Sequence, residues 1–316
     1  MNIFSIDSRE KFEQAAMETY HFQVEHCAPY GRYVSLIGAQ VERFEDIPFL
    51  PIELFKTQKI YCSKAKPEAT FTSSGTTGSE TSRHYVASLK LYEQSFINCF
   101  RYFYGEPNEY SIFSLLPSYL EREGSSLAYM AEYLHKLNPT KGGFYLYDFS
   151  KLATELSRAK ANGEKILLLG VTFALLDFAE QFRADLSGTV VMETGGMKGR
   201  KREIPREELH KILCNSFNVD NIHSEYGMTE MLSQGYSRGG GVFRCPPWVD
   251  VSLRSLQNPL APAEIKGGIN IIDLANRHSC SFLATGDYGR LNEDGSFEIA
   301  GRISGEQLRG CNMLYH

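Results

Sequence analysis

The order of segments predicts an α/β protein that closes in a small β-rich part, and three observations carry that prediction. Strand-like apolar runs alternate with helical spacing from about residue 88 to residue 217. One of them, Lys165-Ile166-Leu167-Leu168-Leu169-Gly170, is almost continuously apolar, as expected of a strand covered on both faces. From Gly240 onward the texture changes to short β segments. A chain of 316 residues at 42% hydrophobic can bury a sizeable core as one large domain over 1–316 or two intimate subdomains. The spacing divides it into a leading segment over 1–65, α/β subdomains over 66–239 and a β-rich part over 240–316.

A Ser or Asp before residue 9 predicts a capped helix over about Ser8 to Tyr20, followed by a mixed, Pro-containing stretch through Ile47-Pro48-Phe49-Leu50-Pro51. Helical spacing returns over Ser88 to Tyr104 and Ser125 to Leu137, with a strand over Tyr110 to Leu116 between them. After the apolar run at 165–170 come a helix over Phe173 to Phe182 and a strand over Thr189 to Glu193. That strand stops at Thr194-Gly195-Gly196, and Pro205 opens the next helix over Arg206 to Phe217. These are βα units, whose strand ends bind ligands in open α/β sheets. The closing strands are expected at Val249 to Leu253, Gly268 to Asp273, Ser281 to Thr285, and Gly289 to Leu291 joined to Ser296 to Ala300 by a turn at Glu293-Asp294-Gly295.

Net charge is −5 and the basic residues are scattered, which excludes a nucleic-acid footprint. Met1 to Ser8 has no signal-peptide pattern and no segment reaches the ~20 apolar residues of a membrane span, so a soluble, cytoplasmic protein is expected. The seven cysteines form no C-x-x-C pair and their odd count predicts free thiols rather than a zinc or disulfide framework.

The chemistry concentrates in Phe71 to His84, where Ser73-Ser74-Gly75-Thr76-Thr77-Gly78-Ser79 sets hydroxyls around two glycines. Glycine lets backbone N–H groups approach an anion and the hydroxyls donate to its oxygens, so the loop suits phosphate. Ser79 and Glu80 stand where the common P-loop would carry Lys and Ser/Thr, so that reading loses its cation. The plain alternative is a flexible Ser/Thr/Gly linker.

This loop resembles the [ST]-S-G-[ST]-T-G loop of the adenylate-forming superfamily, which includes acyl-CoA synthetases, adenylation domains and luciferases. Glu225-Tyr226-Gly227-Met228-Thr229-Glu230 resembles its Y-G-x-T-E segment, and Ala284-Thr285-Gly286-Asp287 with Gly301-Arg302 resembles its T-G-D and G-R segments, in the same order. Superfamily members continue into a mobile C-terminal domain with a catalytic lysine, whereas this sequence stops at His316, shortly after Arg309-Gly310-Cys311. That ending, with Phe49-Leu50-Pro51-Ile52, Leu54-Phe55-Lys56 and Gly195-Gly196-Met197-Lys198-Gly199-Arg200, resembles the acyl-protein synthetase (LuxE) family, the fatty-acid-activating subunit of a luminescence reductase.

The resemblance implies the superfamily's large N-terminal domain without its mobile partner, and activation of a carboxylic, typically fatty, acid by ATP and Mg²⁺ to acyl-AMP. It assigns Ser73, Ser74, Gly75, Thr76, Thr77, Gly78 and Ser79 to the β- and γ-phosphates, Thr229 to the α-phosphate and Glu230 to Mg²⁺. Tyr226, Gly227, Gly195 and Gly196 would receive adenine, and Asp287 the ribose hydroxyls, with Arg302 nearby. With no lysine from a mobile domain, Lys198 and its neighbours Arg200, Lys201 and Arg202, or His84, are expected to supply positive charge. Cys311 would take the acyl group as a thioester and hand it to an acyl-accepting protein such as a reductase. Two alternatives stand beside this: a ligase resembling phenylacetate-CoA ligases with CoA as the thiol, and a nucleotide-binding relative without turnover.

Overall fold

The computed structural model describes residues 2–73, 81–117, 124–195 and 204–303. In chain order its main elements are α1 (Arg9–His26), α2 (Ala28–Leu36), β1 (Leu50–Pro51), α3 (Leu54–Thr57), β2 (Ala69–Thr72), β3 (Arg83–Val86), α4 (Leu89–Tyr104), β4 (Tyr110–Leu115), α5 (Ser126–Lys136), β5 (Gly142–Phe144), α6 (Phe149–Ala161), β6 (Lys165–Val171), α7 (Thr172–Gln181), β7 (Val190–Thr194), α8 (Arg206–Phe217), β8 (His223–Tyr226), β9 (Gly235–Ser237), β10 (Val242–Arg244), β11 (Val249–Arg254), β12 (Lys266–Asp273), β13 (Phe282–Leu291) and β14 (Phe297–Arg302). They group into two compact units, one formed by Met1–Ser95, Thr229–Ser233 and Arg244–His316, the other by Phe96–Met228 and Gln234–Phe243.

In the first unit, α1 begins at Ser8, whose hydroxyl accepts from the Lys11 N–H and so satisfies one of the helix's free donors. Phe12, Ala15, Ala16, Thr19, Tyr20 and Gln23 recur at helical spacing and form its buried face. Gln23 is polar yet fully buried, and its amide is spent on backbone: Nε2 donates to Arg277 O at 2.9 Å and Oε1 accepts from Ser281 N at 3.1 Å. Strands β11 to β14 run antiparallel in sequence order, and β1 joins them parallel to β13 in the register Leu50↔Leu283. Along β11 the buried residues Val249, Val251 and Leu253 alternate with half-buried ones, so the strand turns one side to the core. The segments predicted apart at 281–285 and 289–291 are one strand, β13, with a register shift at Tyr288/Gly289. A separate hairpin pairs β2 with β3 in the register Thr72↔Arg83.

The second unit holds a parallel sheet in the order β5-β4-β6-β7-β8, extended by β9 antiparallel to β8. Ile166 through Val171 are all buried, which is why this run lacks polar alternation. Helix α6 is capped by Asp148, accepting from Lys151 N, and buries Phe149, Leu152, Leu156 and Ala159. The parallel strands bring Leu115, Val171, Thr194 and Tyr226 to their carboxyl ends. Among the described residues no helix is long and apolar enough to cross a membrane.

Candidate active site

The Ser/Thr/Gly loop is the connection between β2 and β3. Ser74, Gly75, Thr76, Thr77, Gly78 and Ser79 lie outside the described residues, but the stem that carries them is in view. Ser73 N donates to Ser82 O at 3.1 Å, and Ser82 N donates to Ser73 Oγ at 2.9 Å, so the hairpin is closed by a serine on each side. The Ser82 hydroxyl is among the groups that lower the pKa of the Glu230 carboxyl against its burial.

Thr229 and Glu230 start a five-residue stretch of the first unit that is held almost entirely by buried polar groups. Asp273 is fully buried and accepts from Leu232 N and Ser233 N, both at 2.9 Å, and from Ser233 Oγ at 2.6 Å. Ser95 and the Trp248 indole N–H also meet Ser233 Oγ. Asn276 donates to Glu230 O at 2.7 Å, and His84 Nδ1 lies 2.8 Å from Thr229 O. A backbone turn carrying this many bonds away from water is fixed in place, since each buried N–H or C=O costs free energy unless paired.

The Glu230 side chain is 6% exposed. Burial raises its pKa above the ordinary carboxylate range, opposed by the Ser82 hydroxyl and by the positive charges of Arg302 and Lys56. A buried carboxylate so lightly compensated suits a cation. Among the described residues no three acidic, His or Cys side chains could enclose a metal, and Mg²⁺ is commonly held through one or two carboxylates with substrate phosphates and water; Glu230 fits that pattern. Asp287, also 6% exposed, pairs in register with Arg302 across β13 and β14, and Arg302 Nε lies 3.2 Å from Asp287 Oδ1. The Arg302 side chain is largely exposed. Asp287 thus presents a carboxylate held by one arginine, able to accept from a diol.

In the second unit, Gly195 follows β7 at φ +68°, a left-handed conformation that side chains disfavour. Its carbonyl accepts from Thr172 Oγ1 at 2.6 Å, and the same hydroxyl lies 3.1 Å from Glu193 Oε2. Arg206 and His210 of α8 stand 3.6 and 3.7 Å from Glu193 Oε1. On β8, Glu225 accepts from the Thr194 hydroxyl and folds over Gly227, where a Cβ would come within 2.4 Å of Glu225 Oε1. Burial, aided by the Glu193 charge and opposed by Thr194, pushes the Glu225 pKa up to about 7. Tyr226 and Phe243 lie 5.8 Å apart by ring centroid. Gly196 and Lys198, with the rest of the basic loop, and Cys311 lie outside the described residues. The six described cysteines are free.

Sequence reasoning passed over Ser82, Asp273, Asn276, Glu193 and Glu225. Ser82 could have been found from its place just past the loop. Asp273 and Asn276 read as an ordinary Asp-Leu-Ala-Asn turn, and only the fold shows whose backbone they hold.

The fold is similar to that of adenylate-forming enzymes. ATP-bound MatB from Rhodopseudomonas palustris superimposes with TM-score 0.54 at 16% identity over 74% of this chain and 48% of that one. O-succinylbenzoate coenzyme A synthetase (MenE) from Bacillus subtilis, in complex with ATP and magnesium ion, gives 0.51 at 16% identity over 75% and 51%. The luciferase-like enzyme of the mealworm Zophobas morio gives 0.50 at 17% identity over 77% and 60%. The chain thus spans about half the length of the first two and 60% of the third. A search of curated proteins finds no match. The model of the family described as acyl-protein synthetase, LuxE, matches residues 3–315, and the chain belongs to that family.

Proposed function

We propose that the protein activates a carboxylic acid, of the fatty-acid type, with ATP and passes the acyl group to a thiol. In the first half-reaction a carboxylate oxygen bonds to the α-phosphorus, the bond to the bridging oxygen breaks, and pyrophosphate leaves. Ser73 to Ser79 hold the departing phosphates, Thr229 meets the α-phosphate, Asp287 accepts from the ribose hydroxyls, and Gly195, Gly196, Tyr226 and Gly227 receive adenine. Mg²⁺ at Glu230 supplies positive charge to the triphosphate. In the second half-reaction the Cys311 thiolate attacks the acyl carbon, AMP leaves, and a thioester remains for an acyl-accepting protein such as a reductase.

The observation that carries this reading is the stem of the phosphate loop, which Ser73 and Ser82 close and in which His84 lies 2.8 Å from Thr229 O, tying the loop to the residue beside the metal ligand within one unit. Acid-dependent exchange of pyrophosphate into ATP is the test. The wild type should exchange with fatty acids, and Glu230→Gln should lower the rate by about 100-fold or more while melting within a few degrees of wild type. Equal rates and equal Mg²⁺ dependence in that variant would take Glu230 out of the site. Coenzyme A synthetases share this fold, as MenE does; thioester formation that requires added CoA would move the acceptor from Cys311 to CoA.

A further inference from the structure

His84 and Asn276 form a buried pair behind Thr229 and Glu230. Asn276 is 1% exposed, and its Nδ2 donates to Glu230 O at 2.7 Å and to Cys280 O at 2.9 Å. Both partners are backbone carbonyls, which only accept, so the amide cannot be turned round without leaving two carbonyls facing an oxygen. Its Oδ1 therefore points at His84 Nε2, 2.9 Å away. An amide oxygen accepts only, so the ring must carry its proton on Nε2. Gln23 Nε2 reaches Asn276 O at 3.2 Å, holding the same residue from α1.

The other ring nitrogen, Nδ1, lies 2.8 Å from Thr229 O. His84 is 1% exposed, with the Phe55 ring edge-on at 6.0 Å. Thr229 O, like Asn276 Oδ1, only accepts, so both contacts favour a proton on the nitrogen they face, against burial, which pushes the pKa down to about 4. Both nitrogens face protein oxygens, so the ring's hydrogen bonds are spent on Thr229 and Asn276.

We propose that His84 and Asn276 are positioning residues: the imidazole orients the Asn276 amide, the amide fixes the Glu230 carbonyl, and the Glu230 carboxylate is thereby set for the metal. This rests on the reading of Glu230 as the magnesium ligand. Neither residue touches substrate.

Two substitutions separate positioning from packing, because Gln mimics the Nε2 donor of histidine and Asn the Nδ1 donor. His84→Gln should keep the half-saturating Mg²⁺ of pyrophosphate exchange near the wild-type value, whereas His84→Asn and the isosteric Asn276→Asp should raise it about tenfold or more, the usual scale for a group that supports a metal ligand. Comparable melting temperatures for the two His84 variants would show that the difference is not stability. Equal Mg²⁺ dependence in His84→Gln and His84→Asn would overturn the proposal. Should the wild type show no exchange, or the variants not fold, ¹⁵N shifts of the wild-type ring at pH 7 decide independently of activity. A protonated Nε2 supports the proposal. A bare Nε2 overturns it, because it turns the Asn276 amide round and removes the donor from Glu230 O.

Discussion

Asp287 and Glu225 show how two buried acids can be put to different uses. Asp287 is the proposed ribose acceptor, with Arg302 beside it, so Asp287→Ala should remove most of the rise in melting temperature that ATP with Mg²⁺ gives the wild type. An undiminished rise would place the ribose elsewhere. Among the described residues Glu225 has no such cation, and burial raises its folded-state pKa to about 7, above the ordinary value of 4.5. The folded state therefore binds the proton more tightly, and the stability this contributes is full below pH 4.5 and lost as pH rises through 7. Glu225→Gln keeps the neutral shape without that loss. Relative to wild type it should gain about 2–3 kcal/mol between pH 4 and pH 8, read from urea unfolding at the two pH values. A pH-independent difference would mean that Glu225 ionises freely.

Strands and helices with one dominant periodicity were legible from the chain. The helices predicted over 88–104, 125–137 and 206–217 and the strands over 110–116, 165–170 and 249–253 correspond to α4, α5, α8, β4, β6 and β11, because each has a buried face or a fully buried run that its spacing displays. Short elements were not: the two-residue β1 owes its form to a partner distant in sequence, Leu283 for Leu50, and α2 and the hairpin β2–β3 are too short to display a dominant period. The motifs around Glu230 and Asp287 were readable as spellings, but the polar groups that hold the turn at Glu230, namely Asp273 and Asn276, carry no local signal. The end of β7 offers a test at this scale. Gly195→Ala forces a Cβ into the left-handed region at φ +68° and should cost about 1–2 kcal/mol in unfolding free energy, with weaker ATP binding by calorimetry. Unchanged stability would show that the strand end relaxes freely.

For the whole molecule, the proposed reaction divides into two chemistries with separate residues. Adenylation draws on Glu230, Thr229 and Asp287, whereas transfer needs a thiolate and nothing else from that set. Incubation with ATP and labelled fatty acid should place a hydroxylamine-labile acyl group on the protein, and Cys311→Ser should abolish the label while leaving pyrophosphate exchange within about threefold of wild type, since a serine hydroxyl is almost never ionised near neutral pH. Label that persists in the variant, or that appears only on added CoA, would remove Cys311 from the pathway.

Gln23 has a consequence for how the chain comes to be folded. Its partners, the backbone at Asn276, Arg277 and Ser281, are made more than 250 residues after it, and Leu50 also waits for the distant Leu283. During synthesis, α1 thus emerges with an apolar stripe and a polar amide that nothing yet made can satisfy. The unit beginning at Phe96 has all its strands by Phe243 and can close first, so α1, made before it, is among the last parts to reach its final state.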